Sequence, residues 1–194
     1  MALTIHGYRI PKPINAHHIK GVLTVKPYVP SVFVKPQFVP RYKVYQETDQ
    51  HLYIPKHYGI QEYGQYTVST RDVQKTPDKF WRFTGSLRPV QIPVVDSFLK
   101  PEPHDGIVSL QTGGGKTVCG LYIASQLKLP TLVLVHNTFL RDQWLERIGS
   151  FLPDARIGRV QGDVLDIENK DIIVAMLQSL SMRDYPPNTF KVIG

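Results

Sequence analysis

The sequence predicts an α/β fold, in which a parallel sheet with a phosphate-binding loop follows a small β-rich domain of the α+β type. Two observations predict it. In the second half, short apolar runs alternate with segments of helical spacing, which is typical of a right-handed parallel α/β sheet. In the first half, prolines separate β-prone runs and confine them to edge strands or extended segments. We place the boundary near residue 75, between residues 1–75 and residues 76–194.

Composition bounds the class of protein. Of the 194 residues, 42% are apolar and 20% are charged, which is ordinary for a soluble globular protein. No apolar run approaches the roughly 20 residues of a membrane span, and the N-terminus lacks a signal-peptide pattern. A single cysteine, Cys119, excludes an internal disulfide and is expected to be a small buried residue. We therefore expect a reducing intracellular location: nucleus, cytoplasm, viral replication site or virion.

Charge is distributed unevenly along the chain. Residues 1–86 hold 12 lysines and arginines against five acidic residues, whereas residues 87–194 hold 11 basic and 11 acidic residues. Eight of the ten tyrosines also lie in the first part. Basic groups interleaved with aromatic rings suit a polyanion with stackable bases, with Lys35, Lys43 and Lys56 as candidate contacts. A small β domain with a tyrosine-rich core and solvated lysines explains the same composition.

The N-terminal elements are predicted from short β-prone runs. Residues 1–20 show no clear period, and Pro11 and Pro13 argue against a helix there. Residues 66–80 are expected to be a connector. Leu52 to Ile54 is predicted as a strand that runs into a turn at Pro55 to Ile60. The other predicted strands are Val22 to Val25, Val32 to Val34 and Arg41 to Tyr45.

The loop with the clearest chemistry is Gln111-Thr112-Gly113-Gly114-Gly115-Lys116-Thr117. It follows an apolar run, residues 107–110, predicted as a strand, and precedes a helix that Pro130 stops. Glycines let backbone N–H groups from Thr112 to Gly115 converge on phosphate oxygens, and the helix N-terminus adds positive potential. Lys116 would bridge two phosphates and the Thr117 hydroxyl would ligate Mg²⁺. A flexible glycine-rich loop is the alternative.

The remaining elements of the second half follow from hydrophobic periodicity. A helix is predicted to begin at Ser86 as N-cap and to run through Phe98. Residues 131–136 form an unbroken apolar run, which predicts a parallel strand buried on both faces. A helix capped by Asn137 or Thr138 should follow. Further strands are predicted at Arg156 to Val160, Ile172 to Met176 and from Phe190 to Ile193.

Four segments together resemble one family. They are Leu87 to Gln91, Leu110 to Thr117, Val135 to Leu140 with Gln143-Trp144, and Val174 to Leu180. In this order they are similar to motifs of the first RecA-like domain of superfamily 2 helicases and translocases. The closest likeness is to the branch containing XPB, phage UvsW and helicases of large DNA viruses. The resemblance covers residues 81–194 and implies an incomplete RecA-like parallel sheet.

The resemblance implies ATP and Mg²⁺ as cofactors and nucleic acid, DNA in preference to RNA, as partner. Gln91, with Arg88 beside it, would contact adenine, and Phe83 or Trp81 would stack on the base; core packing of Trp81 is an equal alternative. Asparagine, threonine and glutamine side chains after strand ends would hold the nucleic-acid backbone. The residues assigned to that backbone are His136, Asn137, Thr138, Arg141, Gln178 and Ser179.

A fainter likeness concerns the first half. Leu52 to Gly59 resembles a "v-P-r-x-y-G" segment that precedes the helicase core in viral and phage members. The likeness implies that residues 1–75 are an accessory domain that binds DNA.

One family motif does not occur in the sequence. The family supplies its Mg²⁺-bound aspartate and its water-activating glutamate from an Asp-Glu-x-His motif after a strand, and this chain has no such sequence. We expect these residues to be the N-terminal piece of an ATP-dependent helicase whose second RecA-like domain lies elsewhere. Such a piece should bind nucleotide without hydrolysing it. A small P-loop kinase, or a nucleic-acid-binding module with a vestigial loop, are the alternatives.

Overall fold

A computed structural model describes residues 1–13, 16–29, 39–70, 81–100, 106–186 and 189–190 of the chain. The chain divides into two compact units, which we call the N-terminal unit (residues 1–72) and the C-terminal unit (residues 73–194). Among the helices that the structure describes, none has the length and apolar character needed to cross a lipid bilayer.

The N-terminal unit is built on a mainly antiparallel sheet with two short helices. The sheet strands are β1 (Ala2–Thr4), β2 (Gly7–Pro11), β5 (Gln46–Glu47), β6 (His51–Ile54) and β7 (Val68–Ser69). Their order is β5-β6-β2-β1-β7, and only β7 runs parallel to its neighbour. A separate ladder pairs β3 (Thr24–Val25) with β4 (Tyr42–Lys43), and the helices are α1 (His17–Val22) and α2 (Lys56–Tyr63).

Close packing of α2 on the sheet forms the core of this unit. Tyr8 of β2 is fully buried, and its hydroxyl donates a hydrogen bond to the Gly64 carbonyl at 2.9 Å. Gly59 of α2 lies directly over the Tyr8 ring, where an added Cβ would stand 2.3 Å from Tyr8 Cγ. The glycine of the segment that resembles viral helicases is therefore required by packing.

Several predictions for the N-terminal unit were wrong. Pro55 to Ile60 do not form a turn but begin α2, with Pro55 as the N-cap. Proline has no backbone N–H, so no donor is left without an acceptor at this position. The β1–β2 hairpin was missed because its two-residue turn, Ile5-His6, lacks the glycine or asparagine that marks tight hairpins. A helix does form where none was expected, because α1 begins at His17, beyond both prolines. It ends at Val22, so that only Thr24 and Val25 of the predicted strand are strand. The predicted strand at residues 32–34 lies outside the described residues.

The C-terminal unit contains the parallel sheet that the sequence predicts. Its strands are β8 (Thr131–Val135), β9 (Ile157–Gln161), β10 (Val164–Asp166) and β11 (Ile172–Met176). Their order is β10-β9-β11-β8, with β11 parallel to both neighbours and β10 antiparallel at the edge. The helices are α3 (Ile92–Leu99), α4 (Lys116–Leu127), α5 (Thr138–Phe151) and α6 (Leu177–Ser181).

Both faces of β11 are covered. Ile172, Val174 and Met176 face a cluster formed with α4 and α5, whereas Ile173 and Ala175 face a second cluster. Next to this strand, the buried Asp171 carboxylate accepts hydrogen bonds from the Arg156 backbone N–H, Nε and Nη2 at 2.8, 3.0 and 2.7 Å. This ion pair joins the starts of β9 and β11, and the Asp171 carboxylate raises the pKa of the Arg156 guanidinium.

Three predictions for this unit were wrong in detail. Residues 107–110 form no strand ladder with any described residue; Val108 and Leu110 pack instead against α3 and α4. Ser86 does not cap a helix, because residues 88–91 close a turn and α3 begins at Ile92. The strand buried on both faces is β11 and not β8, where Leu134 at the edge of the described sheet is 53% exposed.

Candidate nucleotide and nucleic-acid sites

The glycine-rich loop takes a shape that requires glycine. Gly113 and Gly115 have φ values of 79° and 84°, in the left-handed region that side chains disfavour. Gly115 is also the N-cap of α4, and the Gly114 N–H donates to the Gln111 carbonyl at 2.9 Å. The first N–H groups of α4 have no intrahelical acceptor, so the loop and helix together present donors to an anion.

The two polar side chains of the loop lie at the start of α4. Lys116 is exposed, and its Nζ donates to the carbonyls of Leu110 and Gln111 at 2.8 and 3.2 Å. This ammonium therefore lies across the loop. Thr117 follows as the second residue of α4 and is half-buried, whereas Thr112 is exposed. Loop and side chains have the composition and shape of a phosphate cradle.

Gln91 contacts the loop directly. Its side chain is almost fully buried at 2% exposure; Oε1 accepts from the Arg88 N–H at 2.8 Å and Nε2 donates to the Gly114 carbonyl at 2.9 Å. A Cβ on Gly115 would stand 2.2 Å from Gln91 Nε2. Gln91 thus braces the loop, a contact that the predicted adenine role did not include. The adenine role of Gln91 stays a prediction.

Arg88 also contacts the loop, whereas the two residues predicted to stack on the base pack in the protein core. Arg88 Nη1 is 3.4 Å from the Gly113 carbonyl. Trp81 is 5% exposed and packs in the sheet core with Leu121 and Ile148, so it does not stack on a base. The Phe83 ring stacks on Phe151 with centroids 5.4 Å apart, which engages it in the same core.

A second group of predicted residues meets at the carboxyl ends of the parallel strands. After β8, Asn137 caps α5 by accepting from the Leu140 N–H at 2.8 Å, and its Nδ2 lies 3.2 Å from His136 Nε2. After β11, Gln178 Nε2 donates to the His136 carbonyl at 2.7 Å. The structure therefore brings His136, Asn137 and Gln178 together. Thr138 is exposed beside them in the first turn of α5.

Arg141 and Ser179 connect this group to β9. Arg141 pairs with Asp142 at 2.6 Å and donates to the Gln161 side chain through Nη1. Ser179 Oγ accepts from the Gly162 N–H at 2.9 Å. The ends of three neighbouring parallel strands thus supply one polar surface, which we call the strand-end surface: residues 136–138, 141, 161–162 and 178–179.

Comparison with known proteins shows the family. Residues 84–193, more than half of the chain, match the family described as ResIII, the res subunit of type III restriction enzymes. The chain belongs to the ResIII family. Its α/β unit is a partial RecA-like helicase domain, as the resemblance implied.

Individual relatives agree with this family. The ResIII chain is 32% identical over 200 residues to a "putative ATP-dependent RNA helicase" of Acanthamoeba polyphaga mimivirus, an alignment that covers 99% of this chain and 38% of that protein. It is 33% identical over 125 residues to a "putative helicase" of Invertebrate iridescent virus 6, covering 62% of this chain and 25% of that one. A "DNA 3'-5' translocase" of Sulfurisphaera tokodaii is 42% identical over 66 residues, covering 34% and 15%. The ResIII chain therefore spans well under half the length of these relatives.

Sequence reasoning missed two residues of the strand-end surface in this ResIII chain and one exposed residue beside it. Gln161 ends β9 and Gly162 follows it, and the rule that sites lie at the carboxyl ends of parallel strands would have found both. Phe139 in the first turn of α5 is 73% exposed, although an apolar residue in a helix is normally expected to pack. Nothing in the sequence pattern marks Phe139 as exposed.

The lysines predicted to contact nucleic acid in the N-terminal unit have different positions. Lys43 on β4 is exposed. Lys56 is 9% exposed at the start of α2, and its contact with nucleic acid stays a prediction. Lys35 lies outside the described residues.

Proposed function

We propose that this chain provides the nucleotide-binding part of an ATP-dependent helicase or translocase and contacts the nucleic-acid backbone. The observation that carries the proposal is the loop before α4, in which left-handed Gly113 and Gly115 place Lys116 and Thr117 at the helix N-terminus. The names of the viral and archaeal relatives support the same activity.

The loop would hold the phosphates of ATP. Backbone N–H groups of residues 113–117 would donate to phosphate oxygens, and Lys116 would exchange its two loop carbonyls for phosphate oxygens of opposite charge. The Thr117 hydroxyl would be one ligand of Mg²⁺, which when bound neutralises charge on the phosphates. Gln91 keeps the loop in shape and would be the residue that contacts adenine.

The strand-end surface would hold the nucleic-acid backbone. Its members are mostly neutral side chains and helix N-termini, which donate to phosphates without contacting the base edges that distinguish sequences. Arg141 adds one cation, already oriented by Asp142 and Gln161. A translocase needs such a sequence-independent grip because it moves over every base in turn.

Nucleotide binding by the full 194-residue chain tests the proposal. Titration with a fluorescent ATP analogue and Mg²⁺ should show binding that Lys116→Ala reduces at least tenfold, about 1.4 kcal/mol, since a charged contact to phosphate is removed. Lys100→Ala, which removes an exposed lysine of α3's C-terminus, is the matched control. Binding that survives Lys116→Ala unchanged would sink the proposal and favour a vestigial loop. Because the sequence lacks Asp-Glu-x-His, we expect binding without turnover.

The type of nucleic acid needs its own measurement. The mimivirus relative is named for RNA and the archaeal relative for DNA. We propose that the nucleic acid is DNA. A single strand of DNA should therefore compete better for the chain than a single strand of RNA of the same length. A preference for RNA would replace DNA as the partner and leave the nucleotide site untouched.

A further inference from the structure

A basic groove lies in the N-terminal unit and shares no residue with the loop or the strand-end surface. Its volume is about 470 Å³, and it lies between α1 and the β3–β4 ladder. Four of its lining residues, His17, Lys20, Lys26 and Arg41, are basic, and the others are Gly21, Thr24 and Tyr45. No lining residue is acidic. We call this the basic groove.

Two of these basic residues flank the β3–β4 ladder. Thr24 pairs with Lys43 and Val25 with Tyr42; Lys26 directly follows β3 and Arg41 directly precedes β4. Both line the basic groove, so two cations lie at the same end of the ladder. Like charges repel each other, and an anion bound between them would relieve that repulsion.

These cations are not neutralised within the part of the chain that the structure describes. Neither Lys26 nor Arg41 nor Lys43 has a carboxylate within ion-pair distance there. The nearby Glu47 is already paired with Lys12 and Lys20, at 3.0 and 2.5 Å. The basic groove therefore has unpaired positive charge available for a ligand.

We infer that the basic groove binds the phosphate backbone of single-stranded nucleic acid. The inference rests on the proposed function for its choice of nucleic acid among polyanions. A single strand is favoured because its unpaired bases can stack on an exposed aromatic ring beside the basic groove, whereas the bases of a duplex are already stacked and paired. Lys26 also lines an adjoining groove with Tyr28, whose ring is 93% exposed and is free to stack on an unpaired base.

The chain would then contact nucleic acid at two sites that differ in the kind of interaction each uses. Binding in the basic groove depends on lysine and arginine charge, so it should weaken steeply with salt. The strand-end surface donates mainly neutral hydrogen bonds and should be less sensitive. Because the basic groove shares no residue with the loop before α4, its affinity should not require nucleotide.

Fluorescence anisotropy of a labelled oligothymidylate with the full chain tests the inference. The double variant Lys26→Glu with Arg41→Glu should weaken binding by about tenfold or more, since two charged contacts are lost. The slope of log affinity against log salt should become shallower by about 1.4, or 0.7 for each lost phosphate contact on a single strand. Lys100→Glu with Arg147→Glu changes the net charge equally on exposed residues of the C-terminal unit and should leave the slope unchanged.

Folding of the charge-reversed variant is controlled in two ways. The pair Lys26→Arg with Arg41→Lys keeps the charge and should retain binding within a small factor. In the wild type, ultraviolet cross-linking to a bromodeoxyuridine oligonucleotide should mark the peptide that contains Tyr28 or Arg41. Cross-links confined to the strand-end surface, or an equal loss in the control variant, would overturn the inference.

Two comparisons separate this inference from the proposed function. Lys116→Ala should abolish nucleotide binding but leave oligothymidylate affinity measured without nucleotide unchanged. Duplex DNA should compete less well than a single strand of the same length. A duplex that competes equally overturns the single-strand assignment, whereas failure of ATP to bind while the groove variants behave as expected overturns only the proposed function.

Discussion

The strand-end surface and the basic groove differ in whether their polar side chains already have partners within the protein. On the strand-end surface, His136, Asn137 and Gln178 are tied to one another or to backbone groups by hydrogen bonds of 2.7–3.2 Å. In the basic groove, Lys26 and Arg41 have no carboxylate partner among the described residues. The strand-end surface is therefore preorganised and binds through short-range hydrogen bonds. The basic groove acts through electrostatic attraction, which extends further. Sequence motifs identify the first kind of site, whereas only charge and fold together identify the second.

The units that carry these sites are also stabilised differently. The C-terminal unit joins two parallel strands through the pair of Arg156 with the buried Asp171, whereas the N-terminal unit depends on contact between Gly59 and Tyr8. Substitutions that weaken one unit should therefore leave the other intact, and this separation can be measured. Both tryptophans, Trp81 and Trp144, lie in the C-terminal unit, so tryptophan fluorescence reports that unit alone.

The largest effect is expected from Arg156→Ala. It removes the guanidinium that donates two side-chain hydrogen bonds to the buried Asp171 carboxylate, and it should lower the free energy of unfolding of the C-terminal unit by more than the loss of an exposed ion pair does. Urea unfolding followed by tryptophan fluorescence would measure it. Arg183→Ala, which breaks the exposed pair with Asp163, is the control and should cost less than about 1 kcal/mol. Equal costs for the two variants would contradict the structural role of the Arg156–Asp171 pair.

The next largest loss of stability is expected from Gly59→Ala, and it should affect the N-terminal unit. The new methyl group would overlap the Tyr8 ring, so the unit must shift, at a cost of about 1–3 kcal/mol. Tyrosine fluorescence and far-UV circular dichroism would follow unfolding. Gly21→Ala in α1 meets no atom within 4 Å and should be neutral or stabilising. A change in the tryptophan transition with Gly59→Ala would show that the two units do not unfold independently.

Gln91→Glu makes the nucleotide loop sensitive to pH. The new carboxylate would face the Gly114 carbonyl in a buried site, which raises its pKa, so the charged form repels the carbonyl at high pH. Below that pKa the protonated acid can donate to Gly114 again. MgATP affinity should therefore fall roughly tenfold at alkaline pH and recover as the pH falls. Gln91→Ala should lose affinity at every pH, and recovery in that variant would remove the hydrogen bond from the explanation.

The smallest effect concerns Glu47, near the basic groove. Hydrogen bonds from Lys20 and then Lys12 lower the pKa of Glu47 to about 2. Because the folded pKa is lowered, the stabilisation is present above the ordinary pKa near 4.5 and is lost as the pH falls from there towards 2. NMR titration of the carboxyl should give the low pKa, and Lys20→Ala should raise it more than Lys12→Ala. Lys43→Ala should leave it unchanged; a shift there would place Lys43 nearer Glu47 than the structure does.

The C-terminal unit was largely predictable because its signals are local. The glycines before Lys116 mark the loop, the side chain of Asn137 marks the start of α5, and the apolar run at Ile172 to Met176 marks β11. The errors arose where a partner decides the structure. Residues 107–110 are apolar but find no ladder neighbour among the described residues, and Leu134 is exposed because β8 lies at the described edge.

The N-terminal unit was less predictable because its elements are short and held by distant contacts. Strands of two residues, such as β3 and β4, carry no alternation that a pattern could detect. Lys56 illustrates the limit for the sites: a lysine count predicts positive charge, but only the fold shows that this one is buried. Conversely, Lys26 and Arg41 line one groove because a ladder joins segments that are well separated in sequence.

The lone thiol makes the nucleotide loop accessible to chemical labelling experiments. Cys119 is the chain's only cysteine, is fully buried one turn into α4, and burial raises the pKa of its thiol. Alkylating reagents, which attack the thiolate, should therefore modify the folded chain slowly. Cysteines introduced at exposed positions can then carry fluorophores without removal of the native one. The rate of Cys119 alkylation itself measures how often the helix that follows the loop opens transiently.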